Sequence, residues 1–181
     1  MLPPVALINA VRPCAAQRKL PMSVLPLTPT TLERLAIESD IRRLLAAYAH
    51  NLDHGDVDAN AELLAHARLK VIDTIVSGRD EIAHFLRTNL QYHADDTPRT
   101  WHAVSNILID IDSGTRASSA SYFTVHQEAP GLPLQPIVTG RYLDTFELHD
   151  SVWRFASREV DPRLFGDIGQ HVATPAANPA S

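Results

Sequence analysis

Residues 98–111 read Pro-Arg-Thr-Trp-His-Ala-Val-Ser-Asn-Ile-Leu-Ile-Asp-Ile, and here the hydrophobic period of the chain changes from 3.6 to 2. Before this point apolar residues recur at helical spacing. After it they alternate. Four long strands are predicted: Thr100 to Ile111, Arg116 to Gln127, Pro136 to Leu148, and Ser151 to Val160. Asp112-Ser113-Gly114 is a turn signal between the first two, and His149-Asp150 joins the last two tightly. The stretch Ala129-Pro130-Gly131-Leu132-Pro133 reads as a longer loop at a rim. Strict alternation on the first long strand puts His102, Val104, Asn106 and Leu108 on one face, with Trp101, Ala103, Ser105, Ile107 and Ile109 on the other. His126 falls on the strand face opposite Phe123 and Val125, and the pattern leaves its direction open.

Upstream, Leu32, Leu35, Ile41, Leu44, Leu45 and Tyr48 follow a helical stripe that begins at Thr30 or Thr31. Asp53-His54-Gly55 marks its end, with glycine able to take the left-handed closing conformation. A short second helix is expected from about Val57 to Ala65, and a third from Asp80 to Leu90. Between them, the β-branched run Leu69 to Val76 reads as an edge strand or hairpin. Helices first and an antiparallel meander afterwards imply an α+β fold, with three helices packed on one face of a curved sheet.

The ends look different. Residues 1–29 hold six of the 13 prolines and read as a disordered or loose arm. A signal peptide fits this segment poorly, because no basic residue precedes Val5 to Val11, and Met22 is an alternative start. The domain is expected to occupy residues 30–168, followed by a tail over 169–181. Lys and Arg number 16 against 21 Asp and Glu, so no basic footprint for nucleic acid is present. The longest apolar run is too short for a membrane span. The single cysteine, Cys14, fits a reducing cytoplasm. The nine histidines are scattered, with neither His-x-His nor His-Glu-x-x-His, which argues against a metal site.

Sheet and helices together would enclose an apolar interior, the default place for a small-molecule ligand. Three polar side chains are candidates to face it. His102 sits on the alternating strand, Tyr48 lies on the apolar stripe, and Asp53 closes the first helix. A helix C-terminus is an electrostatically poor place for an anion, which favours a functional reason for Asp53. In a water-poor site a carboxylate can orient an imidazole and stabilise its cation, while the imidazole takes a proton. A tyrosine hydroxyl can donate to an oxygen on which charge develops. No cofactor or metal is needed for this chemistry. His50, His54, His66, His84, His93 and His149 are expected at the surface.

The ordered set Tyr48-x4-Asp53-x-Gly55-Asp56, Gly78-x3-Ile82, Trp101-His102-x3-Asn106, Gly140-Arg141-Tyr142-x-Asp144 and Trp153-Arg154-x3-Arg158 resembles the SnoaL-like branch of the nuclear-transport-factor-2-like superfamily. The resemblance covers roughly residues 31 to 168. It implies a cone-shaped, cystatin-like α+β barrel. It also implies a dehydratase, eliminating lyase or isomerase acting on a small apolar cyclic substrate, as in scytalone dehydratase and bile-acid 7α-dehydratase. By that resemblance Asp53 and His102 form the catalytic pair, Tyr48 assists, Arg158 is a substrate clamp and Tyr142 lines the pocket. The basic stretch Arg68-Leu69-Lys70 departs from many relatives and leaves that wall of the site open. Asp161 to Asp167, followed by His171, is expected either to cross the pocket mouth or to pack on a neighbouring subunit. A non-catalytic role, like that of a ring-hydroxylating dioxygenase β subunit, is the alternative. A limonene-epoxide type of hydrolysis ranks last, because it needs two aspartates around an arginine. A homo-oligomer is expected, since a wide sheet covered on one face leaves apolar surface to bury, with a trimer favoured over a dimer.

Overall fold

The computed structural model describes residues 30–173; the N-terminal arm and the tail beyond Ala173 lie outside the described residues. Three helices, α1 (Thr31–Asp53), α2 (Val57–Leu63) and α3 (Arg79–Asn89), accompany six strands. The strands are β1 (Arg68–Val71), β2 (Thr74–Ser77), β3 (Thr100–Ser113), β4 (Arg116–Ala129), β5 (Leu132–His149) and β6 (Val152–Phe165). They form one curved, unclosed sheet in the order β2-β1-β6-β5-β4-β3. Only the β1–β6 pair is parallel; the other four pairs are antiparallel. The α+β class read from the sequence is the class observed.

Local chemistry explains where α1 starts and stops. Thr30 caps its first turn and Glu33 returns the bond, forming a capping box. At the far end Gly55 adopts φ +72, and its N–H reaches the Leu52 carbonyl. A Cβ at Gly55 would meet the Asp96 carbonyl oxygen at 2.6 Å, so only glycine fits this turn. Ile37, Ile41, Leu45 and Tyr48 form the buried stripe of α1, which packs against β3 and β6. Leu32 and Leu35, assigned to that stripe from periodicity, are exposed, because the first turns of α1 contribute no buried residue before Ile37.

Alternation on β3 holds only to Ser105. There Ser105 pairs with Tyr122 and Leu108 with Ala120, so Asn106 and Ile107 together oppose Ser121. Asn106 takes φ +52 in this bulge. The extra residue inverts the pattern downstream. Ile107, Ile109 and Ile111 turn inward to join His102 and Val104, while Asn106 and Leu108 are exposed. The expectation that Asn106 and Leu108 share the face of His102 is thereby corrected.

Two other differences sit at strand ends. Ala129 pairs with Leu132, so Pro130-Gly131 is a tight two-residue turn rather than a long rim loop. β6 runs beyond Val160 to Phe165, with Pro162 opposite Gly140 beside a register shift that tolerates its missing N–H. Gly140 is where β6 crosses closest. A Cβ there would meet the Asp161 carbonyl at 2.3 Å and the Phe123 ring at 2.9 Å. The basic stretch before β2 also resolves. Leu69 points inward opposite Arg158, while Lys70 pairs with Glu159 at 2.7 Å.

Gly140→Ala is expected to lower stability by about 1–3 kcal/mol, because backbone on one side and a packed ring on the other leave no room for relaxation. Chemical denaturation of wild type and variant measures this directly.

Candidate active site

Asp53 occupies the last residue of α1 and reaches across to the first residues of β3. Its Oδ1 accepts from the Thr100 hydroxyl at 2.8 Å and contacts His102 Nδ1 at 2.5 Å, while its Oδ2 accepts from the His102 backbone N–H at 2.8 Å. These bonds offset the unfavourable helix end. Burial pushes the Asp53 carboxyl up, but the bonds and charge of His102, with the Thr100 hydroxyl, outweigh it and hold the carboxyl below its ordinary value. The His102 side chain is only 6% exposed, so this pair is shielded from water. With Nδ1 committed to Asp53, the bare end of the imidazole is Nε2.

A second polar assembly lies on the β5–β6 side of the same inner face. Arg158 and Asp144 face each other across β5 and β6 and form a bidentate pair, 2.8 Å on both bonds, with both side chains fully buried. The guanidinium lies over the rings of Tyr48 and Tyr142, 4.1 and 4.2 Å from their centroids, in the corner formed by their edge-on contact, with Phe155 at 4.8 Å. Burial alone would lower the Arg158 pKa, but Asp144 raises it, so the cation is secure. Its Nη1 has no partner, and neither has the buried Ser121 hydroxyl on β4. Burial pushes the Tyr48 phenol up, against the pull of Arg158, so it keeps its proton at neutral pH. The same cause raises Tyr142 well above its ordinary value.

The fold therefore brings Asp53 and His102 into direct contact. Tyr48 stands beside Arg158 rather than on the dyad, as its five-residue offset from Asp53, about 140° of helical rotation, requires. Tyr142 is the bridge. It meets Tyr48 edge-on at 5.8 Å, stacks on Phe123 at 4.5 Å and feels the Asp53 charge. Arg158 and Tyr142 both point inward, but the guanidinium is already paired with Asp144. One aspartate holds it among the described residues, not the two of an epoxide-hydrolase arrangement. His126 lies outward opposite Trp101, with which it lines a depression of about 260 Å³ on the outer sheet face. No group of three or more His, Cys, Asp or Glu side chains converges in a metal-binding arrangement among the described residues.

Sequence reasoning gave no role to Asp144, Ser121 or Thr100. The first was legible, because Asp144 shares the parity of Tyr142 and Gly140. His171 was expected, with Asp161 to Asp167 before it, either to cross the pocket mouth or to pack on a neighbouring subunit. Among the described residues the chain after β6 folds back, so that Gln91 N–H donates to the His171 carbonyl and Gln127, opposite Thr100 on β3, donates to the Gln170 carbonyl; His171 thereby comes within electrostatic reach of His102, Asp53 and His93. His93, expected on the surface, is half-buried and contacts the Gln170 carbonyl at 3.2 Å. Burial, reinforced by His102, lowers the His171 pKa to about 4.

A family model described as a SnoaL-like domain matches residues 33–159. Among solved structures, the chain is similar to a protein from Novosphingobium aromaticivorans provisionally named a scytalone dehydratase. Identity is 24% and TM-score 0.64, over 83% of this chain and 100% of that one. A nuclear-transport-factor-2-like protein with a cystatin-like fold, from the same organism, gives 22% identity and TM-score 0.59 over 71% of this chain and 82% of that one. The β subunit of a provisionally assigned aromatic-ring-hydroxylating dioxygenase, also from that organism, gives 17% and 0.61 over 74% and 93%. At these identities the likeness is one of fold. No curated protein matches the chain.

Two outcomes follow from the buried charges. Arg158→Leu leaves Asp144 buried without its partner and is expected to cost about 3–5 kcal/mol of stability, with much of the loss recovered in Arg158→Leu/Asp144→Leu. Denaturant titrations of the single and double variants decide this. For His171 the unfolded ring binds a proton below about 6.5 and the folded ring only below about 4. Protons then favour the unfolded chain, so stability should fall as pH drops from 6.5 to 4 and His171 should add nothing to the slope below that. His171→Leu should flatten that window in pH-dependent unfolding.

Proposed function

The chain belongs to the SnoaL-like domain family, and on that premise we propose that it is a cofactor-independent lyase or isomerase, dehydratase-like in chemistry, in which His102 is the base. The observation that carries this reading is the shielded Asp53–His102 contact, which leaves Nε2 bare on the inner face. His102 Nε2 takes a proton from a carbon next to a carbonyl or similar activating group. Asp53 holds the imidazolium that results. In a dehydration, the electron pair of the broken C–H bond becomes the new C=C bond as the C–O bond breaks. The departing hydroxide takes the proton held by the His102 imidazolium and leaves as water, which restores the neutral base. In an isomerisation, the imidazolium returns its proton to another carbon of the substrate.

Tyr48 and Arg158 supply the opposite pole. A phenol that keeps its proton, next to a cation with one unpartnered N–H group, suits an oxygen on which negative charge develops. The aromatic and aliphatic character of the inner face, where Tyr142, Phe123 and Val104 pack, suits a small, largely apolar ring.

A second reading has a specific observation in its favour. The outer sheet face exposes Trp101, Tyr122, Leu134 and Leu143, and a dioxygenase β subunit shares the fold. The polar interior would then be structural, and the outer face would seat a larger partner or further copies of this chain. Purification from the native host separates the two, since the β-subunit reading requires an iron-carrying partner in stoichiometric amount. A self-contained homo-oligomer, with a trimer preferred, accords with the enzyme reading.

The enzyme reading is tested by turnover of a panel of cyclic β-hydroxyketones, followed by the absorbance of the conjugated product. Asp53→Asn and His102→Gln are each expected to lower kcat by about 100- to 10,000-fold. Tyr48→Phe should lower it on the order of 100-fold. Turnover unchanged by Asp53→Asn and His102→Gln would overturn the mechanism.

A further inference from the structure

The dyad mechanism leaves His171 without a task, although the fold goes to some length to place it. The segment after β6 is fixed on both sides of this residue. Gly166 N–H donates to the Ile137 carbonyl at 2.8 Å, where the chain turns back. Gln127, fully buried on β4, donates through Nε2 to the carbonyls of Pro98 and Gln170 at 2.9 and 3.0 Å. The His93 ring contacts the same Gln170 oxygen, and Gln91 N–H donates to the His171 carbonyl at 2.9 Å. Val172 bridges to Leu90, and Ala173 N–H reaches the Asn89 carbonyl. A strap held at this many points fixes the backbone that carries His171, between Gln170 and Val172.

The ring it presents has a buried Nδ1 with no hydrogen-bond partner. A neutral imidazole carries one N–H and one lone pair. Burying a bare N–H is costlier and rarer than burying an under-used acceptor, so the favoured tautomer leaves the lone pair on Nδ1. The result is a spare acceptor on the side of the Asp53–His102 pair, because Gln127, which holds the Gln170 carbonyl, lies opposite Thr100, whose hydroxyl binds Asp53. Across the inner face the unused polar groups are of a different kind, the Arg158 N–H and the hydroxyl of Ser121.

We propose that His171 is part of the substrate site, where its Nδ1 accepts a hydrogen bond from a hydroxyl group on the substrate and holds that hydroxyl beside the carbon that His102 deprotonates. This rests on the dyad reading and deepens it, because it restricts the substrate to hydroxyl-bearing rings. The acceptor role requires a neutral ring, and burial, its largest influence, holds the His171 pKa down at about 4. Of the groups around it, His93 acts in the same direction as His102 and Asp53 in the opposite one.

The test uses the full chain with two fluorinated probes of similar size, 4-fluorophenol and 4-fluorotoluene, titrated by fluorine NMR. Wild type should prefer the phenol. His171→Leu should lower that preference by about three- to tenfold, and His171→Asn, which retains an acceptor, should keep part of it. On the unaltered protein labelled with 15N-histidine, the phenol should move the His171 Nδ1 resonance and the toluene should not. Failure of 4-fluorophenol to bind, equal preference in all three proteins, or an Nδ1 response shared by both probes would overturn the proposal. Those outcomes leave the dyad standing. Turnover unaffected by His102→Gln would instead remove the dyad reading, whatever the probes show.

Discussion

The structure turns on one carboxylate. Asp53 ends α1 and grips the start of β3 through a hydroxyl, a backbone N–H and an imidazole. A helix C-terminus repels an anion, so the position is tolerable only because β3 supplies these donors. The same bonds tie helix to sheet and set the tautomer of His102. A feature that would be a fault in a purely structural helix end here holds an imidazole on the inner face. Gly55 makes it possible, since its left-handed turn lets α1 stop at that point while the chain passes under Asp96.

The opposite side of the inner face is organised by a second carboxylate under contrary conditions. Asp144 and Arg158 are fully buried, and the cost of removing both from water is offset by two short bonds and by the faces of Tyr48 and Tyr142. Tyr142 packs on Arg158 and Phe123 and meets Tyr48 edge-on. The inner face thus carries the Asp53–His102 pair on one side and the Tyr48, Arg158 and Asp144 group on the other, and the proposed mechanism uses the first as its base and the second as its donor. Such separation suits a reaction that removes a proton at one end of a molecule and stabilises charge at the other.

Much of this was legible in the chain, and the failures have physical causes. The switch of hydrophobic period at Pro98 gave the class, and the Asp53-His54-Gly55 ending placed the helix stop where it is found. The inward parity of Tyr142 carried Asp144 with it. Alternation failed beyond Ser105, because a bulge leaves no periodic trace and inverts every later residue. The continuation of β6 through Pro162 was hidden, since proline normally argues against a strand and the register shift that admits it is a property of the pair. For His171 the sequence left two courses open, across the pocket mouth or onto a neighbouring subunit. Its placement depends on Gln127, Gln91 and His93, contacts made across the whole domain rather than along the sequence.

The central claim is that Asp53 fixes His102 as a base with its Nε2 bare and inward. The direct measurement is 15N NMR of the histidine side chains near neutral pH, with His102 assigned by its replacement. The account predicts that neutral His102 carries its proton on Nδ1, in a hydrogen bond that Asp53→Asn disrupts, with an unprotonated resonance at Nε2. A proton found on Nε2, unchanged by Asp53→Asn, would contradict it.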